Sequence, residues 1–450
     1  MDYRPNELRA VLPSRTAYPV DAAAYPRIVS GQGPFVISEA GESYFDASGG
    51  SGSLIFGHGD REMVTVLKQQ AETLTIFPSR ILGVEIVEHY LTELLAFAGS
   101  AFERGLTFTS GSDAVEAALK LALHHQMASG RPGRTKIIGR RGSYHGNTLS
   151  GLGAAGFVSR RKPYEAVLPH VRKASSAHCR ACEFGLTPAE CQLECATSVE
   201  EAIVAEGPDT VAAFILEPIV GAALSAAVPD GRYLQMVRTI CDRHDILLIF
   251  DEVMTGFGRT GQPFAWQLSG VVPDILVCGK GMSAGYFPLS GVLATSRITS
   301  VFGGESGPFQ NGHTHACSPT GAAVGLAVVE RLREQALLAN VRRRGADLRE
   351  RLRDSRLGAA ISNVRGEGLM IGFDIASDSP GARPGAAADR FQRAALRHGL
   401  IIYGSSGGSG TEWGDHAMLL PPLTITEQDV DFIANALVAA AQDPLFAEAS

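Results

Sequence analysis

The sequence predicts an α/β protein built on a mostly parallel central sheet. Two observations carry this. The runs Val211–Leu216, Ile246–Phe250 and Ile275–Val277 are apolar at every position, as strands buried on both faces are. Segments with helical periodicity alternate with them, which is the rhythm of strand, crossover helix and parallel strand.

The elements follow in order. The first fifty residues read as short strands and turns. Leu106-Thr107-Phe108 ends in Thr109-Ser110-Gly111-Ser112, and a helix of good helix formers runs from Asp113 to Ala128. Lys136–Ile138 is a short strand, and Tyr233–His244 is an amphipathic helix. Gly321–Arg353, rich in Ala, Leu, Arg and Glu, is one long helix or two. Leu369–Asp374 and Leu400–Tyr403 are strand-like, the Ala/Gly-rich piece Ser377–Asp389 reads as a surface loop, and a Gly/Ser stretch covers Gly404–Gly410. After Pro421-Pro422, the pattern Thr426-Glu427-Gln428-Asp429 is that of a capping box opening a final helix.

Composition narrows the function classes. The 450 residues suit two or three folding units, and 45% apolar with 19% charged residues supports a large core. A net charge of −7 gives no general attraction to nucleic acid or to an anionic membrane. Charged residues at Asp2, Arg4, Glu7 and Arg9 argue against a signal peptide. The most apolar stretch, Val211–Val228, is broken by Glu217, Pro218 and Ser225, which argues against a membrane span. Seven cysteines, an odd count, point to a reducing cytoplasmic compartment.

Chemistry gathers where the apolar runs end. Glu217 follows Phe214-Ile215-Leu216, Asp251 follows Leu247–Phe250, and Lys280 follows Ile275–Val277 by way of Cys278-Gly279. Ligands of open parallel sheets bind outside these carboxyl ends. The Gly/Ser loop before Asp113 would present free N–H groups and a positive dipole end, which suits a phosphate. A phosphate site, a carboxylate and a lysine are what pyridoxal 5′-phosphate needs, for the carboxylate pairs with the ring nitrogen and the lysine bonds the aldehyde. Singly, Asp251 reads as a helix cap, Lys280 as a surface lysine, Glu217 as a strand end, and Tyr144 and His145 as turn residues. Their joint order and spacing favour the cofactor.

With these residues in place, the chain resembles the class III (ω-amino acid type) aminotransferases of fold type I. The matching blocks are Thr109–Ala118, Tyr144-His145-Gly146-Asn147-Thr148, Leu216-Glu217-Pro218-Ile219, Asp251–Gly261, Pro273–Leu276 with Gly279-Lys280-Gly281, Gly312-His313-Thr314 and Pro421–Thr426. The resemblance implies a large cofactor domain (61–320) and a small domain built from both chain ends (1–60 and 321–450). It implies that Lys280 carries the cofactor as a Schiff base and moves the proton, and that Asp251 pairs with the pyridine nitrogen. Ser110, Gly111 and Ser112 would bind the phosphate. Tyr144 would stack on the ring with His145 beside it, and Val253 would pack on the opposite face. Glu217 would orient Asp251 or the phenolic edge. Thr314 would reach the phosphate of a neighbouring subunit, making the enzyme a homodimer. The implied reaction is ping-pong transfer of an amino group from an amine donor to a keto acid or aldehyde. A racemase, epimerase or aminomutase on the same scaffold would share every motif.

Other motifs carry less. Gly151–Gly156 fits G-x-G-x-x-G but lacks the preceding strand and later acid of a dinucleotide site, and Gly404–Gly408 fits G-x-S-x-G with no helix after it. Cys179, Cys182, Cys191 and Cys195 form C-x2-C-x8-C-x3-C near His170 and His178. That loop is tight for zinc, whose ligand pairs usually stand roughly 12–20 residues apart, so free thiols or a local disulfide are preferred and no metal is assigned. A border of the substrate entrance is a third reading of this loop. Relatives of the resembled family use a late arginine for a substrate carboxylate. No Arg or Lys stands between Ile401 and Ile425 here, which leaves Arg80 and Arg259 as candidates.

Overall fold

The computed structural model describes residues 26–78, 81–187, 189–303, 306–353, 355–358, 360–376, 385–405 and 413–447. Three short strands come first: β1 (Ile28–Gln32), β2 (Phe35–Ser38) and β3 (Ser43–Asp46), paired antiparallel in sequence. The central sheet follows, made of β4 (Phe102–Phe108), β5 (Lys136–Ile138), β6 (Val211–Leu216), β7 (Leu247–Glu252), β8 (Ile275–Cys278) and β9 (Ser290–Thr295). Its order is β4-β9-β8-β7-β6-β5. Strands β5 to β8 are mutually parallel, and β9 runs antiparallel to both of its neighbours.

The apolar runs explain this sheet. Every residue of β6, β7 and β8 is buried, because successive side chains feed two cores. Phe214, Leu216, Leu248 and Phe250 face a core that includes Val237 and Ile240 of the helix Tyr233–Arg243. Ala213, Ile215, Leu247 and Ile249 face the opposite core, against Ala114, Ala118 and Leu121 of the helix Gly111–Ala128.

A further sheet joins β10 (Ile361–Glu367), β11 (Met370–Ile375), β13 (Tyr403–Ser405) and β14 (His416–Leu419), while β12 (Leu400–Ile401) leaves it to pair parallel with β3. The expected strand Leu400–Tyr403 is therefore two strands, each in its own sheet. The segment 321–353 is two helices, Pro319–Arg333 and Gln335–Arg351, broken where Glu334 turns extended (φ −66°, ψ 99°). The expected loop 377–389 needs correction at its end. Residues 377–384 lie outside the described residues, but Ala386 opens a helix to Arg397 that buries Ala387, Ala388, Phe391, Ala394 and Ala395. Its small residues are there for close packing.

The G-x-G-x-x-G run is structural. A Cβ on Gly151 would meet the His145 carbonyl oxygen at 2.5 Å, and one on Gly156 would meet that of Arg140 at 2.3 Å. These glycines let the chain fold tightly behind Tyr144 and His145. Most of the G-x-S-x-G run lies outside the described residues. No helix among the described residues is long and apolar enough to cross a membrane.

Candidate active site

Parallel neighbours β6, β7 and β8 bring Glu217, Asp251 and Lys280 to one edge of the sheet. A cavity of about 170 Å³ opens there, lined by Gly111, Ser112, Tyr144, His145, Glu217, Asp251, Val253 and Lys280, with Val115, Gly146, Ala222 and Met254. Of the ten residues singled out by sequence, eight thus share one cavity. Ser110 lies one residue away, lining a second cavity of about 530 Å³ on the far side of Gly111 and Lys280 together with Ser53, His58 and Tyr286. Thr314 is exposed and lines neither.

Each side chain is held by its own local structure. Asp251 Oδ2 accepts from His145 Nδ1 at 2.8 Å, and its Oδ1 accepts from the Val253 N–H at 3.1 Å. A carboxylate only accepts, so Nδ1 carries the proton. That leaves His145 Nε2 buried with no partner. Glu217 accepts the Tyr144 N–H at 3.0 Å on Oε1 and the Gly221 N–H at 2.8 Å on Oε2. Burial raises the Glu217 pKa, and His145 opposes the shift. Arg140 donates to the Glu217 carbonyl at 2.6 Å, fixing the strand end behind the side chain. The next acid, Glu252, points away from the cavity and pins the loop at Ala265 and Trp266 through their N–H groups.

Lys280 sits just past β8 with φ +47°, a left-handed conformation that costs a non-glycine residue roughly 1–3 kcal/mol. Burial lowers its pKa to about 8, while Asp251 and Glu217 pull it back up. At pH 7 about a tenth is then the neutral, nucleophilic amine, far more than for an ordinary lysine. Ser110 caps the helix Gly111–Ala128, its Oγ accepting from the Asp113 N–H at 3.2 Å. A Cβ on Gly111 would meet Val253 Cγ1 at 2.9 Å, so glycine is what lets the helix start approach the cavity wall.

These residues fit pyridoxal 5′-phosphate. They offer an amine with a depressed pKa, a carboxylate oriented by a buried histidine, and a helix start bared by glycine. The match of the class III aminotransferase family model over residues 18–441 is consistent with that site. The chain belongs to the class III aminotransferases. It is 32% identical over 419 residues to the diaminobutyrate–2-oxoglutarate transaminase of Halomonas elongata, covering 90% of this chain and 88% of that one. It is likewise 32% identical to an uncharacterised aminotransferase of Schizosaccharomyces pombe, with 92% and 91% covered. Among solved structures, an amine transaminase from an uncultivated Pseudomonas species in its pyridoxal phosphate-bound form superposes with TM-score 0.86 at 30% identity, over 98% of this chain and all of that one (100%). The ω-transaminase of Pseudomonas jessenii in complex with pyridoxamine phosphate gives TM-score 0.86 at 27% identity, with 94% of each chain covered. The fold is thus fold type I, and this aminotransferase depends on pyridoxal 5′-phosphate.

Of the two arginines considered for a substrate carboxylate, Arg259 does not line the cavity. Arg80 lies outside the described residues. Arg259 is fully buried, donating to the carbonyls of Leu369 (3.1 Å) and Pro421 (2.5 Å), where it ties together distant parts of the chain. All seven cysteines are free, and no group of three or more His, Cys, Asp or Glu among the described residues is placed to hold a metal ion. Sequence reasoning missed Ala222 and Met254 in the lining, and the buried cluster of Phe157, Val220, Leu224 and Trp413 behind it. The residues of that cluster come together from distant loops, and periodicity carries no trace of that. A larger apolar cavity near Phe302 and Phe309 has Arg104 as its one charged wall residue among the described residues and shows none of this chemistry among them.

Proposed function

We propose that the cavity at the ends of β6, β7 and β8 moves an amino group from an amine or amino acid to a keto acid or aldehyde by a ping-pong route. The observation that carries this is Lys280, an amine with pKa about 8 in the same cavity as the Asp251–His145 pair. Pyridoxal 5′-phosphate, when bound, supplies the carbonyl and the electron-withdrawing ring. Lys280 holds that group covalently and, once released by the incoming amine, takes the proton from the substrate carbon and returns it. Asp251 presents a fixed negative charge where the ring nitrogen must stay protonated, and His145 fixes the carboxylate. Tyr144 and Val253 wall the two faces, Glu217 anchors the Tyr144 backbone, and Ser110, Gly111 and Ser112 take the phosphate.

The finer organisation is also ours. The chain divides into a cofactor domain (61–320) and a small domain from both ends (1–60 and 321–450), supported by the pairing of β3 with β12. It works as a homodimer in which Thr314 completes the partner's site. It resides in the cytoplasm, a reading supported by its free cysteines.

The test is the absorption of bound pyridoxal phosphate across a panel of amines. The band is expected to be absent from Lys280→Ala, to fade when a donor amine is added to the wild type, and to return with a keto acid or aldehyde. A wild-type band that survives every amine overturns the reading.

A further inference from the structure

The four clustered cysteines have no part in the cofactor site, and all four are free. Cys179 is exposed, and Cys182, Cys191 and Cys195 are half-buried. Two of them meet over one turn. Arg232 donates to Asp230 Oδ1 through its backbone N–H at 2.9 Å and its Nε at 3.0 Å, which closes that turn just ahead of the helix Tyr233–Arg243. The Asp230 N–H bonds Cys179, and the Arg232 side chain lies close enough to Cys191 to feel a charge on it. The sulfurs also sense one another. Burial is the main cause raising the pKa of both Cys179 and Cys195, and among the other sulfurs Cys191 acts first on each.

Cys191 is set to react first. Its thiol donates to Glu194 Oε2 at 3.5 Å, and its sulfur accepts the Leu193 N–H at 3.3 Å. A cation and an N–H beside a sulfur stabilise the anion that attacks a disulfide. Cys195 stays a thiol, because burial pushes its pKa up to about 12.

The cysteines adjoin the active-site wall on two sides. Ala181, between Cys179 and Cys182, packs against the buried cluster of Phe157, Ala222 and Trp413, and Ala222 lines the cavity. On the other side, the Asp230 turn follows the loop that carries Ala222, which is closed by the pairing of Val220 with Ala227. A bond between Cys179 and Cys191 therefore ties down the segment that rests on the wall.

We propose that Cys179 and Cys191 form a thiol–disulfide modification site that takes a small-molecule disulfide as its oxidant and sets the fit of the amine against this wall. Cys191, as the thiolate, attacks one sulfur of the oxidant, breaks its S–S bond and releases one thiol. Cys179 then attacks the Cys191 sulfur of the mixed disulfide, forming the Cys179–Cys191 bond and releasing the second thiol. The two cysteine protons leave on the two released thiols, and the pair gives up two electrons as the oxidant gains them. Disulfides of this kind in a reducing compartment are transient and redox-sensing. The site goes beyond the amino-transfer reading and does not depend on it.

The test treats the pyridoxal phosphate-loaded enzyme with oxidised glutathione and maps the product by mass spectrometry. Free thiols are expected to fall by two from the seven in each chain, with no glutathione retained, and dithiothreitol should restore them. Cys179→Ser should trap one glutathione on Cys191, and Cys182→Ser should behave as the wild type. Oxidation should shift KM for a donor amine by about threefold in the wild type and leave it unchanged in Cys191→Ser, with the bound-cofactor absorption constant in both. Seven thiols that survive the oxidant overturn the proposal, as does a bond mapped to another pair. A Cys179–Cys191 bond that leaves KM in place overturns its link to the wall. The mapping needs no turnover, so an enzyme that transaminates no amine sinks the amino-transfer reading while the thiol count still decides the site.

Discussion

Lys280 shows how one side chain couples fold and chemistry. Its ordinary pKa is 10.5, and burial brings it to about 8 in the folded chain. Between these values the unfolded chain binds the proton and the folded chain releases it. Stability of the cofactor-free protein therefore rises with pH across that window, and the full penalty is felt below pH 8. Replacing the amine removes the penalty. Lys280→Met is expected to stabilise the cofactor-free protein at pH 7 by on the order of 1–3 kcal/mol, with the gain shrinking as pH approaches 10.5. Urea unfolding at the two ends of the window measures it. A gain of equal size at both ends would assign the effect to packing and remove the link to the charge. Destabilisation of this kind is common at functional sites, because the property that strains the fold is the one the chemistry uses.

Elements whose signals are local were legible. The capping box is one: Thr426 Oγ1 accepts the Asp429 N–H at 3.3 Å, and Asp429 accepts the Thr426 N–H at 2.7 Å. It opens the helix Glu427–Gln442, whose Val430, Ile433 and Leu437 are buried. Thr426→Ala should destabilise the protein by about 1 kcal/mol, and Thr426→Ser should recover most of that. A denaturation midpoint that Thr426→Ala leaves in place would show that packing alone sets this helix end. The central strands were legible for the same reason, since a run buried on both faces needs no partner to be recognised. Where the sequence reading went astray, tertiary structure made the decision. Leu400 to Tyr403 reads as one strand, yet β12 pairs with β3 and β13 with β14. The helix from Ala386 hides behind a Gly/Pro-rich stretch, and only the burial of Phe391 and Ala395 reveals its face.

At the scale of the whole molecule, the cofactor side of the site was legible and the substrate side was not. Glu217, Asp251 and Lys280 announce themselves because each ends a strand of one sheet. Phe157 and Trp413 meet only when the loops fold over that sheet, so no spacing in the chain links them. Thr314 extends the point beyond a single chain, for it is exposed and outside the cavity of its own chain. If it serves a partner, then Thr314→Ala and Lys280→Ala damage different halves of one composite site. Each homodimer alone should be impaired: Thr314→Ala should hold pyridoxal 5′-phosphate about tenfold more weakly, and Lys280→Ala should fail to bond it covalently. Subunit exchange between the two variants then creates mixed dimers. One site in each mixed dimer takes Lys280 from the Thr314→Ala chain and Thr314 from the Lys280→Ala chain, so both groups are present. Tight, covalent cofactor binding should return in that site, and a titration of the exchanged mixture should show a fraction with wild-type affinity. Were Thr314 to act within its own chain, no site in the mixture would hold both groups, and the tight fraction would be missing. That outcome would overturn the shared-site dimer and leave Lys280 and Asp251 working within one chain.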